Sequence, residues 1–519
     1  MITLIPWAAG LKSNADRFGD LIAVSDGVGH LTYRELAEKA AAVAERLLAA
    51  GVQAGEPVAT FLRNGISAVW ASLGVKLSGA AETALNPALS EDERRYCVSL
   101  AGVRRVVTSA NAAPFFRALG CATFEVEAFA DAHGDPAPIP PVPAQSWGRI
   151  IFTSGTTGRP KAIVHTHEAR WIGNLLQRAT FAYAPAPGTR VLLMTPYTHG
   201  AALIATTFFD HGAGIVLLDG VDLPRVERAL EDGIDHVFAP PTVLAKLASA
   251  FEGRRFPKVR LVFCGTSVLT PALYEKARAM FGPVVRITYG KSEVVNPIAV
   301  LPPEECDRYY RGEAVEGACV GWAGPGVEIE IRDENGAACR AGKSGEVHLR
   351  ARHMLAGHID GQGFHPMPPD GYHATGDLGV LDARGRLHLL GRTADVIKSG
   401  GYKINPEEIE RVLAEVTPVV AVTTLPSDYW GEVIVAVAEA PPTDWESRAR
   451  RAVEALAKYK WPRAYLSLDP LPRNPQGKVP RGRVRAQILE RYMLIDGPHP
   501  RLVERAGTPM QPPHGARNS

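Results

Sequence analysis

One short segment joins hydroxyl side chains, glycines and a lysine in an order suited to phosphate chemistry. The run FTSGTTGRPK occupies residues 152–161 and follows an apolar stretch at 149–152. A loop of this kind after a strand can wrap a polyphosphate with backbone N–H groups and hydroxyls, while the lysine adds positive charge. The segment lacks the order G-x-x-x-x-G-K-[ST] of a Walker loop. By composition alone, an ordinary surface turn stays an open interpretation.

A second polar segment, YGKSE at residues 289–293, also follows a predicted strand. Tyr289 stands next to a glycine and offers a flat ring to a nucleobase. Glu293 provides carboxylate oxygens, the type of ligand that Mg²⁺ prefers. Alone, the segment is only weak support for a nucleotide site.

Three further polar residues follow toward the C-terminus. Asp377 ends the run GYHATGD, and an aspartate in that setting is suited to accept both hydroxyls of a ribose. Arg392 can bond the same sugar or a phosphate. Lys478 follows a Pro/Gly turn in LPRNPQGK. Taken singly, Asp377 also fits a turn-capping role, and Lys478 also fits a solvated basic loop.

Helical and strand-like segments alternate around these motifs. A capping box at Thr32 and Glu35, apolar residues on one face, and Gly51 as terminator predict a helix over 31–51. A second capping box at Ser90 and Glu93 predicts another helix start. Apolar runs predict strands at 57–62, 104–108, 190–194, 236–239, 258–264 and 284–287.

The pattern of predicted elements changes after Gly391. A helix opened by Asn405-Pro406, strands at 419–424 and 432–439, and a basic amphipathic helix at 445–460 predict a small α+β lobe. We therefore predict an α/β protein with a large layered α/β N-terminal domain and a small, mobile α+β C-terminal domain. The predicted parts are a large domain at 1–391, a hinge at 392–396, a small domain at 397–495 and a flexible tail at 496–519.

Composition excludes several classes of protein. The 519 residues exceed the ~250–300 at which one hydrophobic core stops growing, which predicts more than one domain. Hydrophobic residues at 46% and charged residues at 22% are typical of a folded, soluble chain. A net charge of +2 gives no overall field for a nucleic acid or an anionic membrane, so neither is an expected partner.

The six cysteines and the N-terminal residues indicate the compartment. The cysteines form no CxxC pair, which favours reduced structural thiols over a zinc cluster. The N-terminal segment lacks the pattern of a leader peptide, and no run reaches the ~18 apolar residues of a membrane span. We therefore expect a cytoplasmic protein.

Taken together, the motifs resemble those of one family. Their order, from phosphate loop through YGxSE, TGD and GR to a Gly-rich hinge and a terminal GK, is similar to the adenylate-forming enzymes. That superfamily contains acyl-CoA synthetases, amino-acid adenylation domains and luciferases. The resemblance covers roughly residues 31–483, and the segment at 391–410, GRTADVIKSGGYKINPEEIE, is especially specific. Within the superfamily, the segment YGKSEVVN is similar to that of benzoate and halobenzoate–CoA ligases.

The resemblance implies a reaction and its cofactors. Family members join a carboxylic acid to ATP, which gives an acyl-adenylate and pyrophosphate, and then pass the acyl group to a thiol. ATP, Mg²⁺ and CoA are the implied cofactors. The implied ligands of the β- and γ-phosphates are Thr153, Ser154, Thr156, Thr157 and Lys161, and the implied ligands of Mg²⁺ are Glu293 and Thr153.

The same resemblance assigns the nucleoside contacts. Tyr289 and Gly290 are expected to face adenine on one side, and Asp377 and Arg392 are expected to bind the ribose. Ser292, a threonine in most relatives, keeps a hydroxyl for the α-phosphate. The residues expected on the other side of adenine are Gly265, Thr266 and Ser267.

Lys478 resembles the family lysine that reaches the α-phosphate and the attacking carboxylate. Together with Glu293 and Lys161, it is an expected catalytic residue. A rotation of the small domain about Arg392–Asp395 is implied before the second step. The segment then expected at the thiol channel is Ser399, Gly400 and Gly401. Ala394 stands where relatives commonly have an aspartate or lysine, so the identity of the hinge residue departs from the pattern.

The segment TPYTHGAA at 195–202 bears on the acid substrate. It contains no carboxylate that would pair the ammonium of an α-amino acid, and an unpaired buried ammonium is costly. His199 resembles the residue that lines the acyl pocket in acyl- and aryl-CoA synthetases, although a structural role for a lone histidine is an open alternative. We expect an aromatic or medium-length apolar acid. The expected pocket residues are Tyr197, His199, Phe238, Val295 and Asn296.

Three functions stay open at this point. A CoA ligase (AMP-forming), which is an acid–thiol ligase, is favoured because both domains are present. A stand-alone adenylation enzyme that loads the phosphopantetheine of an acyl carrier protein would need nearly the same site. A non-catalytic nucleotide-binding protein is the third, and the set of intact polar residues argues against it. The sequence does not distinguish a monomer from a homodimer.

Overall fold

A computed structural model of the chain describes residues 3–153, 161–198, 200–312, 317–368, 371–400, 402–474 and 478–505. Its contacts divide the chain into two compact units. The first unit comprises residues up to 375 together with 380–388, and the second comprises 376–379 and the residues from 389 onward. The division falls within two strands, His373–Leu381 and Leu387–Arg392. The predicted hinge at 392–396 begins at the last residue of the second strand and stays a prediction.

The first unit contains an eight-stranded mixed sheet that carries the hydroxyl-rich segment. Its central strands are parallel, and an antiparallel hairpin follows them. In spatial order the strands are Gly363–Pro366, Gly357–Asp360, Lys161–Thr166, Trp147–Thr153, Ala81–Ala84, Pro57–Phe61, Arg105–Thr108 and Ala122–Glu125.

A second sheet of the first unit carries the YGKSE segment. Four of the apolar runs predicted as strands form neighbouring parallel strands at its centre. Its described neighbours run in the order His30–Thr32, Ile22–Ser25, Gly214–Leu217, Arg190–Leu193, His236–Phe238, Leu261–Gly265, Val285–Tyr289, Ala299–Leu301 and Ala318–Ala323. The strands Val327–Arg332 and Gly345–Ala351 form an antiparallel pair. A short pair joins Leu4–Ile5 to Val142–Pro143.

Helices accompany these strands along the first unit, as the predicted α/β alternation requires. A 3-10 turn lies at Val126–Phe129. The α-helices are Trp7–Phe18, Tyr33–Ala49, Ile66–Leu77, Glu91–Leu100, Ala113–Ala118, His167–Ala179, Gly200–Phe209, Leu223–Gly233, Pro241–Ala250, Pro271–Phe281 and Pro303–Gly312.

Local sequence signals explain where several helices begin. Both predicted capping boxes are present, with Thr32 and Ser90 each accepting a hydrogen bond from the N–H of the glutamate three residues later. The helix Tyr33–Ala49 packs closely on Ile66–Leu77. A Cβ atom at Gly74 would lie only 2.5 Å from the Cβ of Val43, so glycine is needed at this crossing. Small residues at the crossing therefore set the distance between these two helices.

The second unit is a small α+β body, as predicted. Its sheet takes the order Tyr402–Ile404, Ile397–Ser399, Gly431–Ala438 and Val420–Ser427, and Ala464–Ser467 pairs in parallel with Gly431–Ala438. Its helices are Pro406–Leu413, Trp445–Ala452 and Arg481–Arg491, and 3-10 turns lie at Thr393–Asp395, Val453–Ala455 and Lys458–Lys460. The strands Tyr492–Ile495 and Arg501–Glu504 form an antiparallel pair.

One predicted helix of this unit was wrong in its length. The basic helix expected over 445–460 ends at Ala452 and continues as two 3-10 turns. Leu456 is extended, and its carbonyl accepts a hydrogen bond of 2.9 Å from the indole Nε1 of Trp461. The tryptophan therefore takes an acceptor that a longer helix would have needed for its own backbone.

The cysteines agree with the predicted reduced thiols. All six cysteines are free, and five of them are buried. Burial raises the pKa of Cys97 and of Cys264 to about 12, which keeps both as thiols. None of the helices in the described ranges is long and apolar enough to cross a bilayer.

A buried cluster of charges includes Arg149, which lies on the strand Trp147–Thr153. The Glu82 carboxylate lies 3.0 Å from the Arg170 guanidinium and 3.9 Å from that of Arg149, and it accepts a hydrogen bond from Ser72. Burial alone raises the pKa of Glu82, but the two guanidiniums outweigh burial and the net direction is downward. The single Glu82 carboxylate therefore pairs with two buried guanidinium groups.

Replacement of Glu82 by glutamine should lower the free energy of unfolding by about 3–5 kcal/mol, because two buried guanidiniums would lose their only close carboxylate among the described residues. Urea denaturation at neutral pH measures the loss. Glu252→Gln, at an exposed position, is the matched control and should change stability by less than about 0.5 kcal/mol. Equal stability of the two variants would contradict the assigned role of Glu82.

Candidate functional site

Strand pairing brings the two ends of the hydroxyl-rich segment together. The strands Trp147–Thr153 and Lys161–Thr166 are antiparallel, and their register sets Thr153 directly opposite Lys161. Opposed residues in such a pair have Cα atoms about 4.5–5.5 Å apart. The structure therefore places a hydroxyl and an ammonium side by side at the mouth of the intervening segment. Of the other predicted phosphate ligands, Ser154, Thr156 and Thr157 lie outside the described residues.

A buried histidine ties the YGKSE segment to this hairpin. The ring Nε2 of His165, on the strand Lys161–Thr166, lies 2.7 Å from the carbonyl oxygen of Ser292. Burial lowers the pKa of His165 to about 4, so the ring is neutral and Nε2–H is the donor. On the other side, the N–H of Leu355 donates to the carbonyl of Glu293 at 2.8 Å. The backbone that presents Ser292 and Glu293 is held from two directions.

The Glu293 side chain faces a histidine that sequence reasoning left without a role. Burial lowers the pKa of His373, while the nearby Glu293 carboxylate opposes this and Lys291 adds to it. A neutral His373 leaves the negative charge of Glu293 uncancelled. Lys291 itself donates to the carbonyl of Thr375 at 2.8 Å. Its place within the quoted motif GYHATGD was the only signal for His373.

The chemistry of the donor set suits magnesium. The Thr153 hydroxyl and the Glu293 carboxylate offer oxygen ligands, which Mg²⁺ prefers to nitrogen or sulfur. No histidine or cysteine belongs to the predicted ligand pair, so the residues fit that ion rather than zinc.

The residues predicted to enclose adenine meet at one edge of the second sheet. Leu261–Gly265 and Val285–Tyr289 are neighbouring parallel strands, with Gly265 opposite Thr288. Parallel strands end at the same edge, so Gly265 and the buried Tyr289 lie near one another.

The backbone at Gly265 leaves little room. A Cβ atom there would lie 2.5 Å from the carbonyl oxygen of Thr288, so only glycine fits. The next residue, Thr266, has a φ of 71°, which is strained for a β-branched residue. Strained backbone of this kind clusters at ligand sites. Thr266 and Ser267 are exposed.

Four of the five predicted pocket residues are described and largely buried. Tyr197 donates its backbone N–H to Asn64 Oδ1 at 2.8 Å, and burial raises its pKa. Phe238 packs near the start of the helix Gly200–Phe209, since a Cβ at Gly200 would lie 3.2 Å from its ring. His199 lies outside the described residues.

Val295 and Asn296 close one side of this region. A Cβ atom at Gly173 would lie 2.5 Å from a methyl of Val295, and one at Gly290 would lie 2.4 Å from Asn296 Oδ1. That amide oxygen is buried and has no hydrogen-bond partner in the described part of the chain. The glycine in YGKSE is therefore required for close packing of Asn296, and Asn296 keeps an acceptor available.

In the second unit, the two residues predicted to bind ribose are in contact. Asp377 is buried, and its Oδ1 lies 3.3 Å from the Nε of Arg392. Thr393 donates its hydroxyl to the carbonyl of Gly376 at 3.1 Å, which fixes the turn before Asp377. The sequence analysis expected both residues at one ribose although they are fifteen positions apart. The structure places their side chains in contact.

The predicted thiol-channel segment packs under an aromatic ring. Gly400 has a φ of 57°, and its N–H donates to the carbonyl of Trp430 at 2.8 Å. A Cβ atom at Gly400 would lie 3.1 Å from the Trp430 ring. Ser399 is buried beside it, and Gly401 lies outside the described residues. Sequence reasoning missed Trp430, because nothing in the local pattern connects it to Gly400.

Lys478, in the second unit, is joined to Asn474 by two hydrogen bonds. Its N–H donates to Asn474 Oδ1 at 2.9 Å, and the N–H of Asn474 donates back to the Lys478 carbonyl at 2.9 Å. Lys478 is exposed. Its neighbour Arg481 pairs with Asp395 and with Glu410, a network that sequence reasoning also missed. The backbone of Lys478 is thus positioned although its side chain reaches solvent.

The chain matches the AMP-binding enzyme family over residues 11–358. It is 29% identical to 2-succinylbenzoate–CoA ligase of Bacillus licheniformis over 488 residues, which is 91% of this chain and 98% of that protein. It is 27% identical to sulfoacetate–CoA ligase of Cupriavidus necator, over 88% of this chain and 93% of that protein.

A solved structure supports the same conclusion. The o-succinylbenzoate–CoA synthetase of Bacillus subtilis, in complex with ATP and magnesium ion, superimposes with a TM-score of 0.79 at 25% identity, over 91% of this chain and 98% of that one. The predicted α/β fold class and the predicted class of acid–thiol ligase are confirmed. The chain belongs to the AMP-binding enzyme family, within the adenylate-forming superfamily.

Proposed function

We propose that the chain joins a carboxylic acid to CoA at the expense of ATP, with AMP and pyrophosphate as the other products. The observation that carries the proposal is the junction of the two nucleotide motifs, in which His165 of the Thr153–Lys161 hairpin holds the carbonyl of Ser292 at 2.7 Å. Family membership and the ligase relatives agree with it.

The first step needs positive charge at the phosphates and alignment of the two reactants, but it needs no general base. A carboxylate is already ionised at pH 7, so it attacks the α-phosphorus directly. Lys161 and the hydroxyl of Thr153 would bind the outer phosphates, and Ser292 would bind the α-phosphate. Glu293 and Thr153 would hold Mg²⁺, which neutralises part of the triphosphate charge when bound. Asp377 and Arg392 would fix the ribose.

Lys478 would place a cation at the α-phosphate as charge develops there. The second step exchanges the adenylate for the CoA thiol: a C–S bond forms, the C–O bond to AMP breaks, and the thiol proton leaves with solvent. Ser399 and Gly400 are suited to line the path of the thiol arm, because a glycine beside the Trp430 ring leaves a narrow, smooth surface.

CoA is the favoured acceptor, because the named relatives are CoA ligases over nearly their whole length. An acyl carrier protein is the alternative, and a comparison of CoA with holo-carrier proteins on the same acyl-adenylate distinguishes them. For the acid, the 2-succinylbenzoate ligases favour an aromatic carboxylate. The sulfoacetate ligase shows that similar chains also accept a small aliphatic acid.

A screen of aryl, alicyclic and linear acids tests the proposal. Pyrophosphate release is measured with and without CoA, and AMP and the thioester are identified by mass spectrometry. Acid-dependent AMP formation with a CoA thioester as product is expected. Binding of ATP without turnover across the whole panel would instead indicate the non-catalytic nucleotide-binding protein.

Lys478→Met should reduce adenylate formation by about 10²–10³-fold, because one preorganised cation at a developing charge is lost. Thioester formation from synthetic acyl-adenylate and CoA should change by less than about threefold. Lys458→Met, at an exposed lysine of the same unit, is the control and should leave both rates unchanged. If the half-reaction with synthetic adenylate falls as far as the overall rate, Lys478 does not act in the first step alone.

Asp377→Asn should raise the KM for ATP by about 10–100-fold, since a charge-assisted hydrogen bond contributes roughly 1.5–3 kcal/mol. The KM for the acid should stay within about threefold. Steady-state kinetics with each substrate varied in turn measures the effect, and Asp428→Asn, at an exposed site, serves as the control. An unchanged KM for ATP would remove Asp377 from the ribose site.

A further inference from the structure

A small cavity in the first unit has both residues of the predicted acyl pocket and charged residues in its lining. Its volume is about 20 Å³, and its lining includes Val295 and Asn296 of that pocket. Beyond them it is lined by Lys76, Arg149 and Arg170. A space of about 10–15 Å³ holds one water-sized group, so this cavity accepts the tip of a ligand rather than a whole acid.

Lys76 is the unusual member of this lining. It lies on the helix Ile66–Leu77 and is only 5% exposed. Its ammonium sits 4.5 Å from the centre of the Trp7 ring. Within the described ranges, no ion pair or hydrogen bond satisfies it. A buried ammonium without a partner is costly, and one face of an indole offsets only part of that cost.

The neighbouring carboxylates are already engaged. Glu82 is bonded to both Arg170 and Arg149, as described above. Asp210 accepts hydrogen bonds from Asn14 and Asn174 and pairs with Arg178 at 3.4 Å. The lining contains three cationic side chains, and the one carboxylate in contact with two of them is Glu82, so positive charge predominates around the cavity.

Charges of both signs act on Lys76. Burial and, next to it, the Arg170 guanidinium lower the pKa of Lys76 to about 7, while the Asp210 and Glu82 carboxylates act in the opposite direction. An anion brought into the cavity would pair with the Lys76 ammonium and favour its protonated form. The polar side chains of Asn174, Gln177 and Thr206 also line the space, so a hydrated group is not excluded from it by an apolar wall.

We propose that this cavity receives an anionic group at the far end of the acid, so that the preferred substrate carries a second carboxylate or sulfonate besides the carboxyl that is joined to CoA. The proposal rests on the proposed ligase function and specifies its substrate class. The acyl chain or ring would contact Val295 and Asn296, and its second charge would pair with Lys76.

Matched pairs of acids test the wild-type enzyme. Each pair shares a carbon skeleton and differs only in the second acidic group: benzoate with its 1,2-, 1,3- and 1,4-dicarboxylates, and linear monoacids of three to eight carbons with the corresponding diacids and ω-sulfonates. Thioester formation at pH 7 gives kcat/KM for each. At least one diacid or sulfonated acid is expected to exceed its monoacid by tenfold or more. Turnover of monoacids with no preferred doubly charged acid would overturn the inference and leave the ligase function intact.

Substitution of Lys76 then assigns the preference to this residue. Lys76→Met should lower kcat/KM for the preferred doubly charged acid by at least tenfold, mainly through KM, and change the monoacid by less than threefold. Lys76→Arg, which retains the charge, should keep a preference of at least threefold. Lys246→Met, at an exposed lysine of the same unit, is the matched control.

The outcomes separate the possible roles of Lys76. Equal losses for both acids in Lys76→Met, with an unchanged melting temperature, would show a structural lysine and overturn the inference. If Lys76→Met does not fold, Lys76→Arg and the wild-type panel still decide. Failure of every acid to give AMP would contradict the proposed ligase function itself, which is a different result from turnover of monoacids alone.

Discussion

The register between two antiparallel strands is the constraint on which the proposed chemistry depends. A triphosphate concentrates its charge within a few ångströms, so the groups that bind it must be in place before the reaction starts. The strand pairing sets Thr153 opposite Lys161, so the two ends of the intervening segment are held in place before any ligand binds. The strand Trp147–Thr153 also pairs with Ala81–Ala84 on its other side, which makes it an interior strand and hard to displace.

The same hairpin connects the nucleotide residues to the buried cations. Arg149 lies four residues before Thr153 on one strand. The other strand ends at Thr166, whose side chain caps the helix His167–Ala179 and so orients Arg170. The guanidinium of Arg170 returns to the hairpin and donates to the carbonyl of Gly148 at 2.6 Å. A shift of register by one residue would therefore move the predicted phosphate ligands and the charged cavity together.

Much of the fold was predictable from the sequence, because its signals are local. A capping box such as Thr32 with Glu35 acts within one turn, and the parallel strands are short apolar runs with clear ends. The expectation that Asp377 and Arg392 act at one ribose came from a resemblance to a family, and the structure places the two side chains in contact. What sequence reasoning missed depends on contacts between distant residues. The indole of Trp430 over Gly400, and the bond from Trp461 that ends the helix at Ala452, have no local signal.

Substrate choice belongs to this second, non-local category. The predicted nucleotide ligands occur as recognisable runs of sequence. The acid differs among members, and the groups that would read it come from separate elements: Lys76 from one helix, Asn174 from another, and Asn296 from a loop after a strand. No spacing rule connects such residues, and each has an ordinary structural reading when it is taken singly. Chains about 27–29% identical to this one can therefore share the adenylation chemistry while they act on acids as different as 2-succinylbenzoate and sulfoacetate. On the proposed substrate class, the balance of buried charge, rather than any motif, would select the acid.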